Sequence, residues 1–188
     1  MLREYDCTSS VPIFANGAVT AAFASLLSEG ARVHAEKSTS AGDGETVSVD
    51  AAKKTLIDSG LVTEDVLNDS SVFIDRTNEY GMYKDGKSFG ALNVDEVTKL
   101  EAQGWSQVDG VGSEGGTIQI FKQATMPGHQ QHTGLFGRNL TGQQNLVQTI
   151  YHEYMHYSGV PSHGNTPGTF AWQRWGRKEG RALSPIFD

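Results

Sequence analysis

His152, Glu153 and His156 have the side-chain types and the spacing that chemistry on a metal ion requires. Residues four apart on an α-helix stand one turn apart on the same face, so the two imidazoles can converge on one ion. Zinc favours nitrogen donors and, in catalytic sites, keeps one position open for water. Glu153 lies beside the pair, where a carboxylate can take a proton from that water. The chemistry expected of this His-Glu-x-x-His run is therefore zinc-assisted hydrolysis with Glu153 as general base.

These side chains need a helix to present them. Thr141 followed by Gln144 is a capping-box start, and a helical run follows it. At about 100° per residue, Leu146, Val147, Ile150, Tyr154 and Tyr157 share one side. Asn145, Gln148, Thr149, His152 and His156 lie roughly opposite. The first side is expected to bury in a core, with Tyr154 and Tyr157 turned away from the chemistry. The second side is expected to line a cleft.

Upstream, Asp50 can cap a helix over Ala51 to Asp58 that Gly60 stops, and Thr63 begins a short turn over Glu64 to Leu67. Ser71 to Asp75 and Glu79 to Lys84 are strand candidates, with Asp85-Gly86 as a turn. Asn93 and Glu96 form a second capping box, Leu92 and Val97 a possible hydrophobic staple, and Gly104 a stop. Gly110 to Gly116 is a glycine-rich loop without the Gly-Lys-Ser/Thr of a phosphate cradle, which argues against nucleotide binding. Thr117 to Lys122 alternates apolar and polar residues like a half-buried strand. Helices and strands in this order give an α+β fold, a small twisted sheet packed on the helix of His152.

Five of the six histidines fall between 129 and 163, which suits a metal cleft. His129 and His132, in the polar loop before Thr141, are candidates for substrate or oxyanion contact. A formal net charge of −7 with no run of Lys or Arg argues against nucleic acid as a partner. A single cysteine, Cys7, excludes an internal disulfide framework. No apolar run reaches membrane-spanning length, and the start over Met1 to Asp6, acidic as much as basic, makes a poor signal peptide. Neither membrane insertion nor a cleaved leader is expected.

The His152-Glu153-Tyr154-Met155-His156 run resembles that of the zincin metallopeptidases. The resemblance implies a zincin-like fold, one Zn²⁺ held by His152 and His156, and peptide-bond hydrolysis by Glu153. It also implies an edge strand near the active-site helix that pairs with extended substrate, for which Thr117 to Lys122 is the expected strand. Such a site needs a third protein ligand. Tyr157-Ser-Gly-Val-Pro-Ser-His163 is similar to the metzincin continuation, with the histidine one residue later than usual, and this favours His163. The alternative is Glu179, on a helix expected after Thr166-Pro167, where gluzincins place a glutamate. Whichever of the two does not bind the metal can serve behind the ligands.

A second resemblance lies near the N-terminus. Phe14-Ala-Asn-Gly-Ala-Val-Thr-Ala-Ala-Phe-Ala-Ser-Leu-Leu-Ser-Glu-Gly30 is similar to the segment ahead of the toxin module in Rhs-type polymorphic toxins. It implies a connector over 1–32 and a catalytic domain over 33–188, with a flexible stretch from Ser38 to Glu45. It further implies an antibacterial effector made in the bacterial cytoplasm, delivered into a target cell and neutralised by a cognate immunity protein. Two other functions fit the same residues: a zinc amidase acting on cell-wall peptides, and a non-catalytic adaptor of a secretion apparatus. Bound zinc separates the enzymes from the adaptor.

Overall fold

The computed structural model describes residues 47–127, 140–160 and 170–188, with the backbone alone for 170–173. The 1–32 connector, the Ser38 to Glu45 linker, His129, His132 and His163 lie outside the described residues. Helix α1, Val49–Asp58, opens the described part, and its cap is Ser48, whose hydroxyl accepts the Ala51 N–H, rather than Asp50. A short helix α2, Glu64–Asn68, leads into strand β1, Phe73–Arg76. Strands β2, Tyr80–Lys84, and β3, Lys87–Ala91, form a hairpin. Its turn residues Asp85 and Gly86 both take positive φ (49° and 80°), as a two-residue turn matched to strand twist requires.

Helix α3, Val94–Ala102, starts on Asn93, whose side chain accepts the Glu96 N–H. The Glu96 carboxylate reaches past the cap to the Leu92 N–H, and Leu92 is 72% exposed, so the expected staple to Val97 does not form. Strands β4, Ser106–Gln107, β5, Gly110–Gly112, and β6, Ile118–Phe121, follow, and β6 runs into a 3₁₀ turn over Lys122–Thr125. The long helices α4, Gly142–Tyr157, and α5, Phe170–Phe187, complete the described elements. The architecture is α+β.

Two three-stranded sheets form. One has the order β1-β6-β5, with β1 parallel and β5 antiparallel to β6; the other is the antiparallel sheet β3-β2-β4. This corrects two sequence expectations. Strand β6 is the central strand of its sheet, paired on both sides, so it offers no free edge to a substrate. The first three residues of the glycine-rich stretch are not loop but the edge strand β5. Alternation of side chains gives β6 two jobs. Ile118 and Ile120 enter the main core, while the Gln119 amide oxygen accepts from Arg76 and from Ser88 of the second sheet. Gln123 joins the sheets more tightly, its side chain bonding both the N–H and the C=O of Gly81 as a strand would.

The core lies between α1, α4, α5 and the β1-β6-β5 sheet, and includes Ala52, Leu56, Ile118, Ile120, Leu146, Ile150 and Leu183, all fully buried. Each such Leu or Ile stabilises the fold by roughly 1.5–3 kcal/mol relative to exposure. Helix α4 is held on both sides. Leu146, Val147 and Ile150 face the core as expected, but Asn145, Gln148, Thr149 and His152 are buried too. The second side of the helix is therefore packed rather than open, because the 3₁₀ turn and α5 cover it. Asn145 is satisfied there by donating to the Ala124 carbonyl. Tyr154 and Tyr157 are half-buried and stack on each other.

Candidate metal centre

The expected capping box is formed at the start of α4. Thr141 Oγ1 accepts the Gln144 N–H, and Gln144 Oε1 accepts the Thr141 N–H. At the other end Gly159 takes φ +73°, stopping the helix directly after the motif. Between these ends the helix carries His152 and His156 on one face. Their Nε2 atoms stand 3.2 Å apart. Two nitrogens bound to one tetrahedral zinc at about 2.0–2.1 Å each are separated by about 3.3 Å. The pair therefore fits a zinc ion.

Two residues of α5 close over the histidines. The Trp175 ring packs on both imidazoles, with centroids 5.0 Å from His152 and 4.7 Å from His156. Glu179, fully buried, brings Oε1 to 3.6 Å from His152 Nδ1. That nitrogen is not the one His152 turns to His156. A carboxylate in this position stands behind the imidazole, where metal-site histidines commonly find the partner that orients them. Arg177 and Lys178, beside Glu179 in sequence, are exposed. Trp175, Glu179 and Leu183 are buried at four-residue spacing, so Glu179 belongs to the apolar stripe of α5 and not to its charged face. It also sits mid-helix, two turns before the end. Among the described residues no three His, Cys, Asp or Glu side chains form a complete metal set.

Glu153 is 1% exposed and packs against β5. A Cβ on Gly110 would fall 2.7 Å from Glu153 Cγ and 3.0 Å from Oε1, and one on Gly112 would overlap the Glu153 backbone carbonyl. Glycine at both positions is what lets the strand touch the helix. Burial pushes the Glu153 carboxyl up from 4.5 to about 8, with Asp109 adding to the rise and Glu179 contributing less, while the Gly112 N–H pulls it down. Among the described residues its Oε1 accepts no hydrogen bond. Burial likewise pushes Glu179 up from 4.5 to about 8, against a downward pull from the Gln148 side chain.

The backbone of β5 has a defined direction. The Asp109 C=O accepts from Phe121 and the Ser113 N–H donates to Thr117, so odd-numbered residues turn toward β6. By alternation the backbone of Gly110 and the C=O of Gly112 point to the unpaired edge, while the Gly112 N–H is turned to Glu153. Sequence reasoning missed Asp109 and this strand, and placed Gln148 on the side of His152 without giving it a role. The spacing of Gly110 and Gly112, two apart and hence on one strand face, is the signal that could have found the strand. Asp109 carried no local signal, since its meeting with Glu153 is made by the tertiary fold.

No protein-family model matches the chain, and no curated protein or solved structure matches it significantly.

Proposed function

We propose that this chain is a zinc-dependent metalloendopeptidase of the zincin type. The observation that carries the reading is the convergence of His152 and His156 Nε2 at 3.2 Å, with the buried Glu153 carboxylate on the same helix against the edge strand β5. His152 and His156 would hold the ion. His163 is the third donor we favour, because Glu179 faces the other nitrogen of His152. When bound, zinc polarises a peptide carbonyl and makes water more acidic. Glu153, in its ionised form, would accept the proton of the attacking water and deliver it to the departing amine. A bound cation would favour that form over the neutral carboxyl held near 8 without metal. The outward C=O of Gly112, which is half-buried, and the backbone of Gly110 lie on the unpaired edge of β5 and are the groups an extended peptide would pair with, the Gly112 N–H being turned to Glu153. Antiparallel β5 beside two parallel strands, next to the helix with the histidines, supports a zincin-like arrangement.

The resemblance of Phe14 to Gly30 to the pre-toxin segment of Rhs-type toxins supports the biological setting. In that setting the enzyme is an effector made in the bacterial cytoplasm, delivered to a target cell, and blocked by an immunity protein at home. The test is hydrolysis of a peptide library by purified protein, with and without a zinc chelator. Cleavage that chelation abolishes and zinc restores is the expected result. Cleavage indifferent to chelation excludes the mechanism.

A further inference from the structure

Strand β5 runs along α4 from Glu153 toward the end of the helix. A Cβ on Gly110 would meet the Glu153 side chain, and one on Gly112 the Glu153 backbone. Two residues on is Glu114, whose carboxylate lies over Gly159, where an added Cβ would fall 2.9 Å from Oε1. Gly159 follows His156 by about one helical turn of chain. The turn that carries Glu114 is tied down, since the Gly115 N–H donates to the Tyr157 carbonyl and the Gly116 N–H to that of Ser113. The strand edge that would hold a peptide therefore leads from Glu153 to Glu114.

A carboxylate in this place lacks a complement within the fold. The last carbonyls of a helix carry partial negative charge, so an anion beside them is unfavourable. Glu114 is exposed, and among the described residues its carboxylate makes no ion pair or hydrogen bond and joins no metal set. The walls of the site supply no cation: Ser106 to Phe121 and Leu140 to Val160 contain neither Lys nor Arg. On α5 the exposed Arg174, Arg177, Lys178 and Arg181 stand off the buried stripe of Trp175, Glu179 and Leu183. We propose that Glu114 is a specificity-determining residue: it receives the charged end of a Lys or Arg side chain from a peptide extended along β5. That cation complements the carboxylate and the helix end together. A long basic side chain can lie along the bare glycines with its charged head in water. The inference rests on the metallopeptidase reading and names its substrate class, peptides with a basic residue at one fixed position from the cleaved bond.

The test uses the full zinc-loaded chain as wild type, Glu114→Gln and Glu114→Lys, each checked for fold by circular dichroism. Three fluorescein-labelled peptide pools of small and apolar residues are supplied, differing only in carrying one Lys, one Met or one Glu. Relative kcat/KM values are read from initial cleavage rates at limiting peptide, and the cut sites by mass spectrometry. An exposed ion pair changes such a ratio by about 2–5-fold, and less at high salt. The wild type is expected to prefer the Lys pool to the Met pool by that factor, with Lys at one fixed distance from the cut. The ratio should fall to about one in Glu114→Gln, and Glu114→Lys should prefer the Glu pool. A wild type indifferent to charge overturns the inference, as does the same Lys preference in all three proteins. If no pool is cleaved, the hydrolytic reading fails on its own account, and fluorescence anisotropy of the same pools on the same proteins still decides. Tighter binding of the Lys pool that Glu114→Gln weakens supports the assignment of Glu114. Equal binding of the three pools, or none, overturns it.

Discussion

At Glu153 and Glu179 the fold places two carboxyls where their charged forms are poorly solvated, and both are held up near 8 instead of 4.5. The folded metal-free protein thus binds protons that the unfolded chain releases at lower pH. Its stability contribution from these groups is fully present below about 4.5 and is lost as pH rises through about 8. Thermal melts of the metal-free protein should give a lower Tm at pH 8.5 than at pH 5, and Glu153→Gln should flatten that slope. An unchanged slope in the variant would show that Glu153 does not supply it. In catalysis the same substitution should leave zinc content intact and reduce hydrolysis by about 10²–10⁴-fold, the usual worth of a general base. The histidine pair and Glu153 were legible in the sequence because one helix sets their spacing. The burial of Glu179 was legible only through Trp175 and Leu183, four residues either side, against the misleading charges of Arg177 and Lys178. Asp109 was not legible, because its neighbour Glu153 is 44 positions away, counted from the sequence numbers.

At the scale of elements, the contact between β5 and α4 decides whether the strand can serve the site. Gly112→Ala places a methyl on the Glu153 carbonyl, and overpacking of this kind costs about 1–3 kcal/mol. A lowered Tm together with reduced turnover is expected for Gly112→Ala. Wild-type values for both would mean that strand and helix are not in the contact described. Thr141→Ala removes the N-cap acceptor of α4 and should lower stability by about 1 kcal/mol, measured by denaturant unfolding. Helix ends were readable because capping is local: Thr141-Gln144, Gly60, Gly104 and Gly159 act within one turn. Strand neighbours were not readable in that way. The alternation in Thr117 to Lys122 marks a half-buried strand but says nothing about which strands flank it, so the central β6 was taken for an edge. Strand β3 escaped notice because Lys87-Ser88-Phe89-Gly90-Ala91 contains little of the β-branched character that marks strands.

At the scale of the whole molecule, α1 begins the described packing, with the Ser48 backbone bonded in both directions to the Gln143 side chain. A chain starting near Val33 keeps every one of these contacts. It should fold, bind zinc and remain active, and circular dichroism with a zinc titration checks this. Global unfolding of that truncation would place the first 32 residues in the core and remove the connector reading. The coarse α+β class was legible from element order, whereas the division into two sheets depends on long-range pairing such as Gln123 with Gly81. The central claim concerns one ion between two histidines. Elemental analysis of the purified protein, and of its His152→Ala, His156→Ala and Glu153→Ala variants, tests it most directly. About one zinc per chain in the wild type and in Glu153→Ala, with loss in both histidine variants, is the predicted result. Zinc absent from the wild type, or undiminished after either histidine is removed, would contradict it.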